Sequence, residues 1–117
     1  TAEEFGNPNV VKVVIDQDGH ALYFSRASIP FKRDGAPAEF SKYFKHLGIY
    51  AYRREFLFTF CKLPKSFLEQ EEKLEQLRVL EAGYKIKCVE TDFETIGVDT
   101  AEDVARVVQC LKTKSNL

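Results

Sequence analysis

Val10-Val11-Lys12-Val13-Val14-Ile15, then Gln17-Asp18-Gly19, then Ala21-Leu22-Tyr23-Phe24: residues 10–24 place a β-branched run, a turn signal and a second apolar run in succession. β-branched side chains lose rotamer freedom in a helix and pack well on a pleated surface, so the first run reads as a strand. Asp-Gly supplies the positive φ that a tight connection demands. The stretch is therefore a β-hairpin, and the helices around it decide the fold class. Ser66-Phe67-Leu68-Glu69 has capping-box form and predicts a helix running to about Ala82, with Leu74, Leu77 and Leu80 as its apolar stripe and Gly83 as a left-handed stop. Thr100-Ala101-Glu102-Asp103 repeats the capping signal. Val104, Val107, Val108 and Leu111 then mark a final amphipathic helix. Strands mixed with helices, without an internal repeat, indicate an α/β or α+β domain.

Between these elements the sequence is less regular. Pro30 to Ser41 carries Lys32, Arg33, Asp34, Gly35 and Pro37 among few large apolar residues, the composition of a surface loop. His46 to Tyr52 alternates as a strand would, with Gly48 marking close approach of a neighbour, and Arg53 to Phe58 reads as a short helix. Lys85 to Val89 is a candidate strand, followed by a turn-like stretch from Thr91 to Ile96.

The 117 residues, 44% of them apolar, suit one domain with one core. Seventeen basic against eighteen acidic residues, with no basic run, exclude the electrostatic footprint of a nucleic-acid binder. No run approaches the roughly 18 apolar residues of a membrane helix, and the first residues lack a secretory pattern, so a cytoplasmic, membrane-free protein is expected. Cys61, Cys88 and Cys110 are odd in number and form no C-x-x-C pair, and His20 and His46 share no metal-ligand spacing. They point to neither disulfides nor structural zinc. The chain begins at Thr1 and has no methionine, which leads us to expect a piece of a longer polypeptide.

Several residues could carry chemistry, each with an ordinary alternative. Asp99, between a glycine and a helix start, could present a carboxylate to a divalent cation or simply favour the helix dipole. Arg26, at a strand end, could clamp a carboxylate or phosphate, or sit in an exposed salt bridge. His46 and Tyr50, four apart on an extended segment, share a face that is either core or pocket. On the long helix, Glu75 lies opposite the apolar stripe and Gln76 at its flank, a solvated arrangement with a Glu75 to Arg78 pair. The acidic run from Glu69 to Glu75 reads as a wet face, and Phe56 to Phe60 as core or subunit contact.

Five blocks carry a resemblance beyond composition: Asn7 to Val14; Tyr23-Phe24-Ser25-Arg26 with Ile29-Pro30; His46 to Arg53; Leu74-Glu75-Gln76-Leu77-Arg78; and Gly97-Val98-Asp99-Thr100. In order and spacing they resemble the CMP-Kdo synthetases, or 3-deoxy-manno-octulosonate cytidylyltransferases, Kdo being the eight-carbon acidic sugar. The resemblance covers nearly the whole chain. It implies the C-terminal half of a three-layer α/β/α nucleotide-diphospho-sugar transferase fold with a mixed sheet and a hairpin, the CTP-binding N-terminal half being absent. Such enzymes transfer CMP from CTP to Kdo, release pyrophosphate and serve lipopolysaccharide synthesis. The same resemblance implies that Asp99 is a catalytic magnesium ligand, and that Arg26, His46, Tyr50, Glu75 and Gln76 line the Kdo pocket. It further implies a homodimer with contacts in this half, and a fragment inactive alone. Phe31 stands where many members have tryptophan, and Ala101 where proline is common. A related enzyme for sialic-acid-like sugars and a non-catalytic dimerisation module are the alternatives.

Overall fold

In the computed structural model, which describes residues 1–92, 97–98 and 100–115, the hairpin forms where the sequence places it. Strand β1 (Lys12–Ile15) pairs antiparallel with β2 (Ala21–Ser25), Val13 opposite Phe24 and Lys12 opposite Ser25. The Asp16 carboxylate closes the turn by accepting the N–H groups of Asp18 at 2.9 Å and His20 at 2.8 Å. Gly19 supplies a φ of +78°, a conformation side-chain-bearing residues avoid. A short β3 (Phe44–Lys45) joins the other edge of β1, giving the order β2-β1-β3. All these pairings are antiparallel, so the described residues contain only the antiparallel part of the mixed sheet the resemblance implies.

The strand expected over His46 to Tyr52 does not form. His46 still donates its backbone N–H to Val11 at 2.8 Å, but Val10 bonds back to Asn7, so β1 has no earlier residue to continue the ladder. Lys85 to Val89 likewise yields a single bridge, Lys87 to His20. Its neighbours Ile86 and Cys88 bond to Ala21 and Gly19, at the hairpin turn and the first residue of β2.

Helix α1 (Ala2–Gly6) starts with a Thr1–Glu4 capping box, and Glu4 reaches Lys45 at 2.8 Å, tying this first helix to the sheet. Helix α2 (Arg54–Lys62) runs past the expected end at Phe58 and stops at Leu63, whose backbone is extended ahead of Pro64.

The helix expected from Ser66 to Ala82 is two helices. The capping box forms as read, with Ser66 and Glu69 exchanging bonds, but α3 (Phe67–Glu72) ends at Lys73, whose φ is +54°. A second piece, α4 (Leu77–Glu81), follows, and Gly83 has the expected positive φ, +84°. At the break, the carbonyls freed from the helix have another donor. In a continuous helix the carbonyls of Glu72 and Lys73 would accept from residues four ahead. Here both accept from the Arg26 guanidinium, at 2.7 and 3.5 Å.

The kink aims Leu74 and Leu77 at the hairpin, where they form the core with Val13, Ala21 and Phe24. Leu77 and Phe24 are almost fully enclosed, each stabilising the fold by about 2 kcal/mol. Helix α5 (Ala101–Ser115) opens on the Thr100–Asp103 bonds predicted for it. Its apolar residues Val104, Val108 and Leu111 remain exposed.

Candidate functional site

Two groups of side chains flank β2, one where its end faces the α3–α4 kink and one packed on Phe24. The first is charged. Glu72 accepts from the Ser25 hydroxyl at 2.6 Å, the Arg26 backbone N–H at 2.9 Å and, more loosely, the Tyr23 hydroxyl at 3.5 Å. Arg26 returns the contact through its guanidinium and also donates to the Pro8 carbonyl at 3.1 Å. Beneath them Lys12, only 2% exposed, directs its ammonium to the carbonyls of Asn7, Val10 and Arg26. Burial lowers the Lys12 pKa, the Arg26 charge lowers it further, and Glu72 opposes both. Two cations and one anion thus leave this cluster with a net positive charge, a setting that favours an additional anion.

The second group is aromatic and amide. His46 packs edge-on against Phe24, ring centroids 5.1 Å apart, and its Nε2 meets the Tyr50 hydroxyl at 2.7 Å. Burial lowers the His46 pKa and raises that of Tyr50, so both are neutral near pH 7. The hydroxyl and Nε2 share one hydrogen bond, whose direction follows the tautomer of the neutral imidazole. Tyr52 stacks on Tyr50 and continues into Phe56 and Phe60 of α2. Glu75 is close enough for its charge to raise the pKa of both tyrosines, although burial is the larger cause.

Of the residues singled out in the sequence, His46 and Tyr50 are in contact and Glu75 is within electrostatic reach of Tyr50. Glu75 is exposed, as its helical position suggested. Gln76 is not at a solvated flank: it is 6% exposed, and its Nε2 has no partner among the described residues. Arg26 occupies the charged cluster and bonds carbonyls rather than a side-chain carboxylate. The Asp99 assignment lies outside the described residues, as does most of the turn read over Thr91 to Ile96.

The acidic run conceals two built contacts. Glu69 is buried and binds Arg78 through both oxygens, Nε at 2.8 Å and Nη2 at 2.5 Å, which replaces the Glu75–Arg78 pair expected on a straight helix. Nine helical residues would separate the two by about 13 Å; the kink brings them together. Arg78 also lies over the Phe60 ring at 4.9 Å. Sequence reading missed Lys12, Tyr52, Glu69, Glu72 and Arg78 as parts of the site or its support. Lys12 did leave a signal, a lone charge inside a β-branched run.

Asp16, Asp18 and His20 place ligand atoms within 4.8 Å of one another at the hairpin turn. One Asp16 oxygen already closes the turn, and the Lys87 ammonium binds the Asp18 carbonyl. A mixed nitrogen and oxygen set beside a cation does not suit magnesium, which takes hard oxygen donors. Among the described residues, no helix is long and apolar enough to cross a membrane.

Comparison with known proteins identifies the family and the fold. The profile described as cytidylyltransferase matches residues 1–86. The chain is 54% identical over 119 aligned residues to a 3-deoxy-manno-octulosonate cytidylyltransferase of Geotalea daltonii, covering 95% of this chain and 47% of that protein. It is 53% identical to the protein of the same name from Solibacter usitatus, covering 93% and 42%. A solved CMP:2-keto-3-deoxy-manno-octonic acid synthetase in complex with CTP superposes with a TM-score of 0.86 at 43% identity, covering 97% of this chain and 46% of that one. The chain spans about half the length of the curated relatives it matches.

Proposed function

The chain belongs to the cytidylyltransferase family, and from that premise we propose that it is the sugar-binding, C-terminal part of a 3-deoxy-manno-octulosonate cytidylyltransferase. The intact enzyme converts CTP and Kdo to CMP-Kdo and pyrophosphate for lipopolysaccharide synthesis. The observation that carries this reading is the buried Gln76 amide, without a partner among the described residues and next in sequence to exposed Glu75, whose charge reaches Tyr50 of the His46–Tyr50 pair. A buried donor left unpaired costs free energy unless a ligand completes it. A polyhydroxylated sugar offers such a partner, and a row of amide, carboxylate, imidazole and phenol matches its mixed donors and acceptors. Arg26, in the positively charged cluster, suits the sugar carboxylate.

This chain's contribution to the reaction is placement. Neutral His46 and Tyr50, with Glu75 and Gln76, orient the sugar hydroxyls, and Arg26 fixes its acidic end, so the anomeric hydroxyl approaches the α-phosphorus of CTP in line. We assign Asp99 to a magnesium ion: one carboxylate plus substrate phosphate oxygens is how this cation is commonly held. When bound, it supplies positive charge to the phosphate oxygens. We further place the enzyme in the cytoplasm, as a homodimer whose contact includes the exposed Leu57 and Phe58 of α2.

Calorimetry of the chain with Kdo and with N-acetylneuraminate tests the assignment. Kdo binding in preference to N-acetylneuraminate is expected, with no CTP turnover until the remaining half is supplied. Preference for N-acetylneuraminate favours the sialic-acid type of enzyme, and self-association without sugar binding favours the interaction module. In the completed enzyme, Asp99→Asn with normal turnover removes the magnesium assignment.

A further inference from the structure

Arg26 is held more firmly than a surface arginine needs to be. A guanidinium has five N–H groups, and three of those on Arg26 are committed to the carbonyls of Pro8, Glu72 and Lys73. The other two, one on each terminal nitrogen, have no acceptor among the described residues, which leaves both terminal nitrogens with a donor for a carboxylate. Two of the three anchoring carbonyls exist as acceptors because α3 ends at Glu72. They stay within reach because the Glu72 carboxylate locks that helix end onto β2 through the Ser25 hydroxyl and the Arg26 N–H.

We propose that Glu72 is a positioning residue for Arg26, fixing the guanidinium so that its two uncommitted N–H groups are presented together to the carboxylate of an acidic sugar. The proposal rests on the assignment of Arg26 to the Kdo carboxylate. Ordering the arginine during folding removes that cost from binding. Arg26 has the other role, direct contact with the ligand.

The charge of Glu72 makes the test decisive. By Coulomb's law alone, removing an anion beside an anion-binding arginine strengthens binding; if Glu72 acts by positioning, its removal weakens binding. Glu72→Gln keeps the shape but places an amide donor against the N–H and hydroxyl donors of Arg26 and Ser25. Calorimetry of the 117-residue chain with Kdo is expected to show about 10-fold weaker binding, with less than about a twofold change for Kdo methyl ester, which lacks the carboxylate charge. Unchanged or tighter Kdo binding overturns the proposal, as does an equal loss for both probes, the mark of a merely structural role. Should Glu72→Gln fail to fold, Ser25→Ala removes the 2.6 Å hydroxyl contact to Glu72, together with the 3.0 Å bond that the hydroxyl accepts from the Ala27 N–H, and leaves the carboxylate in place. About 3-fold weaker Kdo binding with the ester unaffected is then expected, and wild-type affinity overturns the idea. Failure of the underlying assignment looks different: the wild-type chain does not bind Kdo, or Arg26→Ala binds it as well as wild type.

Discussion

Glu69 and Glu72 lie three residues apart in one acidic stretch, yet each has its own cation-bearing partner, Arg78 for the first and Arg26 for the second. Glu69 is marked locally only as the end of a capping box, and nothing in local composition separates Glu72 from solvated Glu71 or exposed Glu75; their arginine partners lie 9 and 46 residues away along the chain. Acid titration reports such contacts. The Lys45 ammonium, with the N-terminal amine and Thr1 hydroxyl, lowers the Glu4 carboxyl from its ordinary 4.5 to about 2, and hydrogen bonds from Arg78 lower that of Glu69. A carboxylate with a depressed folded pKa adds stability above its unfolded value, and that stability is lost as pH falls through the folded one. Urea midpoints of the wild-type chain should therefore decline as pH drops from about 4.5 toward 2. Glu4→Gln should be less stable near neutrality and show a shallower decline.

The kink at Lys73 governs the elements around it. Leu74 and Leu77 reach the hairpin core only because α3 stops after Glu72, and the stop forces an ordinary side chain into left-handed backbone. Such a conformation costs a residue with a Cβ about 1 kcal/mol, and glycine adopts it freely. Lys73→Gly should accordingly stabilise the chain by about 0.5 kcal/mol, measured as a shift of the denaturation midpoint with an unchanged slope. A loss of stability would mean that the lysine side chain contributes more than its backbone strain costs. The hairpin behaves differently, because Asp16 and Gly19 close its turn locally, with Ile86 and Cys88 added from farther along the chain.

Taken as a whole, the chain is more open than its length requires. Its radius of gyration is 16.4 Å, against roughly 13 Å for a compact domain of this size. The extra dimension accompanies uncovered apolar surface: Val104, Val108 and Leu111 on α5 are 44–59% exposed. A 15-residue helix with little support is marginal in water. Hydrogen exchange should show α5 amides exchanging well before those of β1 and β2. Replacing Val104 and Val108 with glutamate should change the unfolding free energy of the isolated chain by less than about 0.5 kcal/mol. A large loss would show that the α5 stripe is packed in solution.

By itself the sequence determined the parts that depend on neighbours along the chain. The hairpin of residues 10–24, the capping boxes at Ser66 and Thr100 and the stop at Gly83 were all legible, because a turn or a cap is closed by residues a few positions apart. The blocks around Arg26, His46, Tyr50, Glu75 and Gln76 were legible as a resemblance. Tertiary structure alone decided where the long helix breaks, that Gln76 is buried and that Lys12, Arg26 and Glu72 form one cluster. Those outcomes turn on competition: an arginine from the hairpin outbids the helix for two carbonyls. No periodicity along the helix records a competitor that arrives from 46 residues away.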